Sequence, residues 1–296
     1  MPNDIASAVN ITRISQLTLD ALVTQGVPLR AFLTDFSDEL EPHGETVTAR
    51  FPGALTTQDM NASKAPGSVT FTPVPITLDN FRGVVMGFKD TERTFTDVKL
   101  AEEFVQPAVS ALVDYVISAA LSVVTNANGY THAVTLTSAQ FDADAVADLA
   151  DEFSTRKIPT TGRVLLIKPK YKGSLVKDNA IQNASASGSN GAVVNNEIPR
   201  VHGFAVVEYN GTIPANGEAL EGIAVHPQAI CMAARGVVPP PADTWYGKVV
   251  NIIEPNTGLP LQIREYYDGV QLVYEIAVLF GVAKGMPAKL TRIKSA

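Results

Sequence analysis

The stretch from residue 98 to 124 constrains this chain more than any other. After a charged first turn (Lys99, Glu102, Glu103), polar residues recur at Gln106, Ser110, Asp114, Ser118 and Ser122, and everything else from Phe104 onward is apolar. A helix with so narrow a polar stripe is buried on most sides. At about 1.5 Å per residue it runs about 40 Å, longer than most helices of globular proteins. Pro107 removes the hydrogen bond to the Glu103 carbonyl, which predicts a kink there. The rest of the chain must therefore be built around a rod. The longest purely apolar run, Ile276 to Ala283, has eight residues, against roughly 20 needed to cross a bilayer. The rod is thus expected to be a core helix and not a membrane span.

At 296 residues the chain has room for one large domain or two smaller ones. With 46% hydrophobic and 18% charged residues, it lacks the low hydrophobicity and high charge of a disordered chain. The balance of 23 basic against 30 acidic residues, net −7, argues against a nucleic-acid reader, which carries a basic patch. Soluble proteins average about 25% charged residues, so 18% is low. Charge is depleted in the buried centres of interfaces, and the shortfall points to a surface partly covered by other subunits. Met1-Pro2-Asn3-Asp4 carries no positive charge and no apolar stretch follows, so no signal peptide is expected. The single Cys231 excludes an internal disulfide framework and a cysteine zinc site.

Before the rod, residues 1–44 contain one short helical candidate, Ser15 to Thr24, ended by Gly26 and Pro28, and then an acidic segment, Asp35 to Glu41. This stretch has too few apolar residues to fold alone and must lie across something else. Thr46 to Phe51 and Arg82 to Phe88 read as strands. Between them Pro52, Gly53, Pro66, Gly67, Pro73 and Pro75 predict a long loop, read as an arm reaching a partner.

After the rod, Phe141, Ala145, Val146, Leu149, Ala150 and Phe153 form an apolar helical face opposite Asp142, Asp144, Asp148, Asp151 and Glu152. Arg163 to Lys168 reads as a buried strand, Tyr171 to Asp178 as a short helix, and uncharged Ala180 to Asn196 as a flexible loop. The remaining third reads as β. Phe204 to Tyr209 and Gly222 to His226 are strands, Lys248 to Val282 is a three-stranded meander with turns at 255–258 and 268–269, and Leu290 to Lys294 is a last short strand.

Catalytic signatures are nearly absent. No nucleophile elbow, phosphate loop, zinc-protease motif or dinucleotide fingerprint occurs. His43, His132, His202 and His226 stand far apart without ligand spacing. Cys231 lies between Ile230 and Met232, an apolar setting that leaves a thiol inert. The aspartates of helix 141–153 could mimic a divalent-metal site, but a solvated helix face explains them more simply. The lysines at 168, 170, 172 and 177 lack interleaved aromatics beyond Tyr171 and make a poor nucleic-acid groove. Trp245 suits an interface anchor or the core equally. No catalytic residue, cofactor or metal site is expected.

The order of elements resembles a known family, the major capsid (coat) proteins of tailed double-stranded-DNA bacteriophages with the Hong Kong 97 fold. The resemblance rests on Lys89-Asp90-Thr91-Glu92-Arg93 followed by Glu102-Glu103-Phe104-Val105-Gln106-Pro107-Ala108, on Ile198 to Val206, on Ala224-Val225-His226-Pro227-Gln228-Ala229 with Ala234-Arg235, and on the closing meander with Gly281. It covers roughly residues 45–296 and looks nearest to the coat proteins of short-tailed Salmonella-phage-like viruses, without their large insertion domain. It implies an α+β fold: an N-terminal arm (1–44), an extended β-hairpin E-loop (45–88), a peripheral (P) domain with the spine helix (89–128 and 246–296), and an α/β axial (A) domain (129–245).

The resemblance also implies the partners. The chain would pair with itself in pentamers and hexamers, with a scaffolding protein, a portal and, as in those members that carry one, a decoration protein, enclosing double-stranded DNA held by confinement. The location is the virion capsid, assembled in the host cytoplasm, with no membrane partner. Candidate assembly contacts are Phe51, Lys64, Val69, Phe71, Phe81 and Trp245, with Pro107 as the kink of the spine helix. Phe51, Val69, Phe71 and Phe81 lie on a ribbon too small to stand alone in water, so a neighbour is expected to cover them. Some members of the family join a lysine of the arm to an asparagine of a neighbour. Lys64 with Asn251 or Asn256 supplies the residue types, but non-covalent locking is the expectation. The alternatives are an encapsulin-type nanocompartment shell, whose members replace the arm with a short amphipathic helix, and a metal-dependent enzyme using helix 141–153.

Overall fold

A computed structural model describes residues 5–37, 46–53, 57, 59, 70–89, 91, 100–179, 181, 198, 200–214, 218–238 and 247–296, with the backbone alone for 5–10, 35–37 and 100–102. The rod is present as helix α2 (Leu100–Ser122), which follows helix α1 (Ile5–Gln25). Val105, Val109, Leu112, Val113, Val116, Ile117, Ala120 and Leu121 are buried along one side of α2, each large side chain contributing about 1.5–3 kcal/mol. The other side is open. Phe104, Gln106, Pro107, Ser110, Ala111 and Tyr115 are exposed, so α2 is covered on about half of its surface and not on most sides. The apolar residues next to the polar stripe had suggested a wider contact than the protein makes. By length and composition Glu103–Ser122 could cross a membrane, and half of that window is buried inside the protein. Pro107 lies within the helix on the exposed side. Glu103 is exposed too, so water can reach the carbonyl that loses its partner.

Two sheets flank this core. The first orders β1 (Leu33–Ser37), β10 (Ile230–Arg235), β13 (Gln271–Lys284), β12 (Pro260–Tyr267) and β11 (Gly247–Ile253), with β4 (Asn80–Lys89) also on β13. Leu279 and Phe280 pair with β10 and with β4 at once, as Leu272 to Ala277 do with β12 and β4. Hence β10 and β12 share one edge of the long β13, end to end, and β4 takes the opposite edge. The second sheet orders β5 (Ala133–Thr135), β14 (Leu290–Lys294), β9 (Leu220–Val225), β6 (Val164–Ile167), β8 (Phe204–Glu208) and β7 (Arg200–Val201).

Alternation tells why the second sheet is apolar on both faces. Val164, Leu166, Ile223, Val225 and Leu290 join the core around α2. Their neighbours Leu165, Ile167, Ala224 and Ile293 pack with helices α3 (Ala143–Thr155) and α4 (Pro169–Lys177). A strand covered on both faces reads as a continuous hydrophobic run, as Val164–Ile167 does. Helix α3 starts where Asp142 accepts a hydrogen bond from the Ala145 amide at 2.9 Å. At its far end Arg163 donates to the carbonyls of Ala150, Ile158 and Pro159.

Several expectations need correction. The N-terminal helix is twice the anticipated length, beginning at Ile5, and does not reach away. It packs Ile11, Ile14, Ala21 and Leu22 into the same core as α2. The loop expected between residues 52 and 82 contains a strand, β3 (Phe71–Thr77), paired antiparallel with β2 (Thr46–Pro52). Pro73 and Pro75 had argued against it, but a strand tolerates proline when the missing N–H lies on the side away from its partner. The hairpin's inner row is not left for a neighbour either. Phe51 is only 4% exposed, packed in a cluster with Ile76, Cys231 and Ala233 on the back of β10. The end of β3 meets β13 so closely that a Cβ on Gly281 would fall 2.0 Å from the Thr77 carbonyl oxygen. The strand reading of Arg82 to Phe88 was sound in type, but β4 belongs to the large sheet and not to the hairpin. Residues 38–45, 60–69 and 239–246, and Ala180 to Asn196 apart from Ile181, lie outside the described residues.

Candidate assembly surface

The side of the molecule formed by β4 and α2 carries four of the ten large exposed apolar residues among the described residues, Phe81, Val85, Phe104 and Tyr115. In β4 one parity faces the core, with Val84, Met86 and Phe88 packed against it. The other parity carries Phe81, 47% exposed, and Val85, 61% exposed. On the core side the helix brings Phe104 and Tyr115 to the same border, both partly open to solvent. The Phe104 ring lies 6.2 Å from that of Phe88, and the Arg82 guanidinium lies 5.0 Å above Tyr115. On the outer face Arg264 sits 5.8 Å from the centre of the Phe81 ring and 3.9 Å from Glu275. Its Nε donates to Gln262 Oε1 at 2.7 Å, and Gln262 Nε2 donates to Asn251 Oδ1 at 3.0 Å. Arginine over an exposed ring is worth about 0.5–1 kcal/mol. The strip is thus apolar at its centre and held in place by an ordered polar row.

Of the candidate contacts named from sequence, Phe71 and Phe81 are exposed, Phe51 is covered by its own chain, and Pro107 lies on the open side of α2. Lys64, Val69 and Trp245 lie outside the described residues. Val85, Phe104 and Tyr115 were missed. One signal was available: Phe81 and Val85 stand at the parity opposite Val84, Met86 and Phe88, more apolar residues than a strand with one buried face requires. Phe104, Ala111 and Tyr115 adjoin the polar stripe and were wrongly counted with the buried face.

The titratable groups serve structure. Burial pushes the Cys231 thiol up to about 11, and the side chain is fully buried. Arg292, buried, pairs with Glu218, which also accepts from the Asn126 amide at 2.7 Å. That amide first, and then the charges of Arg292 and Lys294, hold the Glu218 carboxyl below its usual range. Burial, then the charges of Lys289 and Arg163, push His226 down. Along α3, Asp142, Asp144, Asp148 and Glu152 border an open cleft of about 300 Å³ over Val134, Leu136 and Leu149. Asp142 there caps the helix, and Glu152 pairs with His132 and Arg156, each at 3.3 Å. Among the described residues no group of His, Cys, Asp or Glu is placed to hold a metal ion.

No family model matches this chain, and no curated protein does. Solved structures do. A cyanophage P-SCSP1u capsid chain superposes with a TM-score of 0.60 at 13% identity, covering 90% of this chain and 86% of that one. The phage PhiM1 mature capsid gives 0.58 at 14%, over 90% and 86%. The chain has the α+β fold of phage capsid proteins. A virus-like particle from Pyrococcus furiosus has a similar fold as well, with a TM-score of 0.54 at 12% identity over 96% and 98%. At such identities the likeness is one of fold and not of side chains.

Proposed function

We propose that this chain is the structural subunit of an icosahedral phage capsid, self-assembling into pentamers and hexamers around double-stranded DNA, with no catalytic role. The observation that carries this reading is the mutual coverage. The likeness spans 90% of this chain and 86% of the cyanophage capsid chain, so the whole architecture is shared and not one motif. The finer assignment is taken from the resemblance: residues 1–44 as N-arm, although its helix packs on its own subunit, 45–88 as E-loop, although its last strand β4 joins the large sheet, 89–128 with 246–296 as peripheral domain, 129–245 as axial domain, and α2 as spine helix. Its partners are its own copies, a scaffolding protein and a portal, with assembly in the host cytoplasm. At net charge −7 the inner wall holds DNA by confinement, with few and salt-sensitive contacts.

Locking is non-covalent. Asn256 lies in the turn that Glu254 closes by accepting from the Thr257 amide. Hydrogen bonds from Thr257 and Asn256 keep that carboxyl below its usual range despite burial. A carboxylate so stabilised is a weak proton acceptor. Expression with and without a scaffolding protein, followed by sedimentation, tests the proposal. Fast-sedimenting closed shells are expected, and a chain that stays monomeric at every concentration would refute it.

One observation favours a second reading, a nanocompartment shell around protein cargo. Helix α1 packs on its own subunit, where an arm would extend. Particle contents separate the two: nucleic acid for a capsid, enzyme for a nanocompartment.

A further inference from the structure

Two Asn-Gly steps lie among the described residues, Asn128-Gly129 and Asn210-Gly211, and the fold treats them oppositely. Asn128 is held. Its Nδ2 donates to the Val123 carbonyl at 2.7 Å, and its amide donates to Thr125 Oγ1 at 3.1 Å. The Gly129 amide donates to the Asn126 carbonyl at 2.9 Å, in a turn that needs glycine for its φ of 85°. Asn210 follows the end of β8 and is exposed. Among the described residues neither its carboxamide nor the Gly211 amide takes part in a hydrogen bond.

Gly211 is a glycine for a different reason. A Cβ there would fall 1.8 Å from Asp114 Oδ1 on α2 and 2.5 Å from the Tyr209 hydroxyl oxygen. Close approach, and not a left-handed backbone, excludes a side chain. The Tyr209 hydroxyl itself donates toward the carbonyls of Asp114 and Thr212, at 3.4 Å each. Packing against the rod thus demands a glycine directly after an asparagine that nothing holds.

We infer that Asn210 is a site of self-modification, converting to aspartate and isoaspartate in the folded subunit while Asn128 stays intact. The Gly211 nitrogen, losing its proton to solvent, attacks Cγ of Asn210. The bond from Cγ to the side-chain nitrogen breaks, ammonia leaves, and a cyclic imide closes. Glycine has no Cβ to crowd that ring. Water then opens the imide. Addition at Cγ gives aspartate, and addition at the former backbone carbonyl gives isoaspartate, whose main chain runs through Cγ and is longer by one carbon. In sum, one water is consumed and one ammonia released. Either product sets a new carboxylate next to the Gly211 that Asp114 touches, and like charges repel. The segment that ties the end of β8 to α2 loosens as a result.

Peptide mapping by mass spectrometry tests this on the full chain, incubated at mildly alkaline pH with and without urea. In the native protein position 210 is expected to convert at least about tenfold faster than position 128, where reaction waits for local opening. In urea the two rates should converge, since nothing then holds either residue. Equal rates in the native protein would overturn the inference, and so would conversion of position 210 in urea alone. A difference that persists undiminished in urea would belong to the sequence and not to the fold, and would overturn it as well. Hydrogen exchange reads the consequence at the Tyr209 amide, which donates to the Ile167 carbonyl at 2.9 Å. In aged protein and in Asn210→Asp it is expected to exchange at least about tenfold faster than in Asn210→Gln. Equal protection in all three would overturn the loosening.

Discussion

Replacing Phe51 by alanine separates a hairpin docked on its own subunit from one that waits for a neighbour. The ring is 4% exposed and packs with Ile76, Cys231 and Ala233, which are 1% exposed or less. Val47, Ala49 and Val74 border the same cluster. Truncating a buried phenylalanine costs about 3–5 kcal/mol through lost transfer energy and the cavity left behind. This cluster is small and lies at the margin of the sheet, where neighbours can relax inward, so the loss should fall near the low end, about 3 kcal/mol. Phe71 is the internal control: on the same hairpin but 58% exposed, its alanine variant should stay within about 0.5 kcal/mol of the parent. The assay is urea unfolding of dilute, unassembled subunits followed by circular dichroism. With a slope of about 3 kcal/mol per molar, the Phe51→Ala midpoint should drop by about 1 M. If the two variants shift the midpoint equally little, the hairpin gains nothing from its own subunit and the packing argument fails.

Other outcomes follow from single interactions. Asp142→Ala removes the cap on the Ala145 amide and should cost about 1 kcal/mol in thermal unfolding. Glu218 has its carboxyl held below the usual range, so its contribution is full above the unfolded carboxylate pKa and fades as pH falls through the folded one. Glu218→Gln should lower stability by about 3 kcal/mol at neutral pH, because buried Arg292 loses its partner, and should flatten the acid limb of the stability profile. Cys231, buried and pushed up to about 11, should resist a thiol reagent in the native subunit and react at once in urea. Reaction at the rate of a free thiol without denaturant would contradict its burial. Mature particles should give a single denaturing-gel band near 31.5 kDa, and a ladder abolished by Lys64→Ala would show covalent locking instead.

What could be read from sequence follows from how local the determining forces are. Helix α2 and the meander of β11, β12 and β13 were legible because period and turn residues coincide there. Helix α3 was legible but not its start: Phe141 precedes the helix, and Asp142, read as part of its polar face, is its cap. Strand β10, Ile230–Arg235, was not seen as a strand, since Cys, Met and two alanines carry little β preference. What makes it one is its position between β1 and β13, and that is set by distant residues. Strand β3 was hidden by its prolines, which count against a strand until the paired edge is known. The length of α1 was missed for a related reason: its contact face exists only because α2 lies beside it. The surface divided the same way. Exposure of Phe81 was anticipated, whereas Val85 and Tyr115 become surface residues only once β4 is known to be an edge and α2 to be half covered.

Electron cryomicroscopy of the purified, assembled chain tests the central claim most directly. Icosahedral shells built of pentamers and hexamers are the predicted result. Protein that remains monomeric at all concentrations, with or without a scaffolding protein, would contradict it.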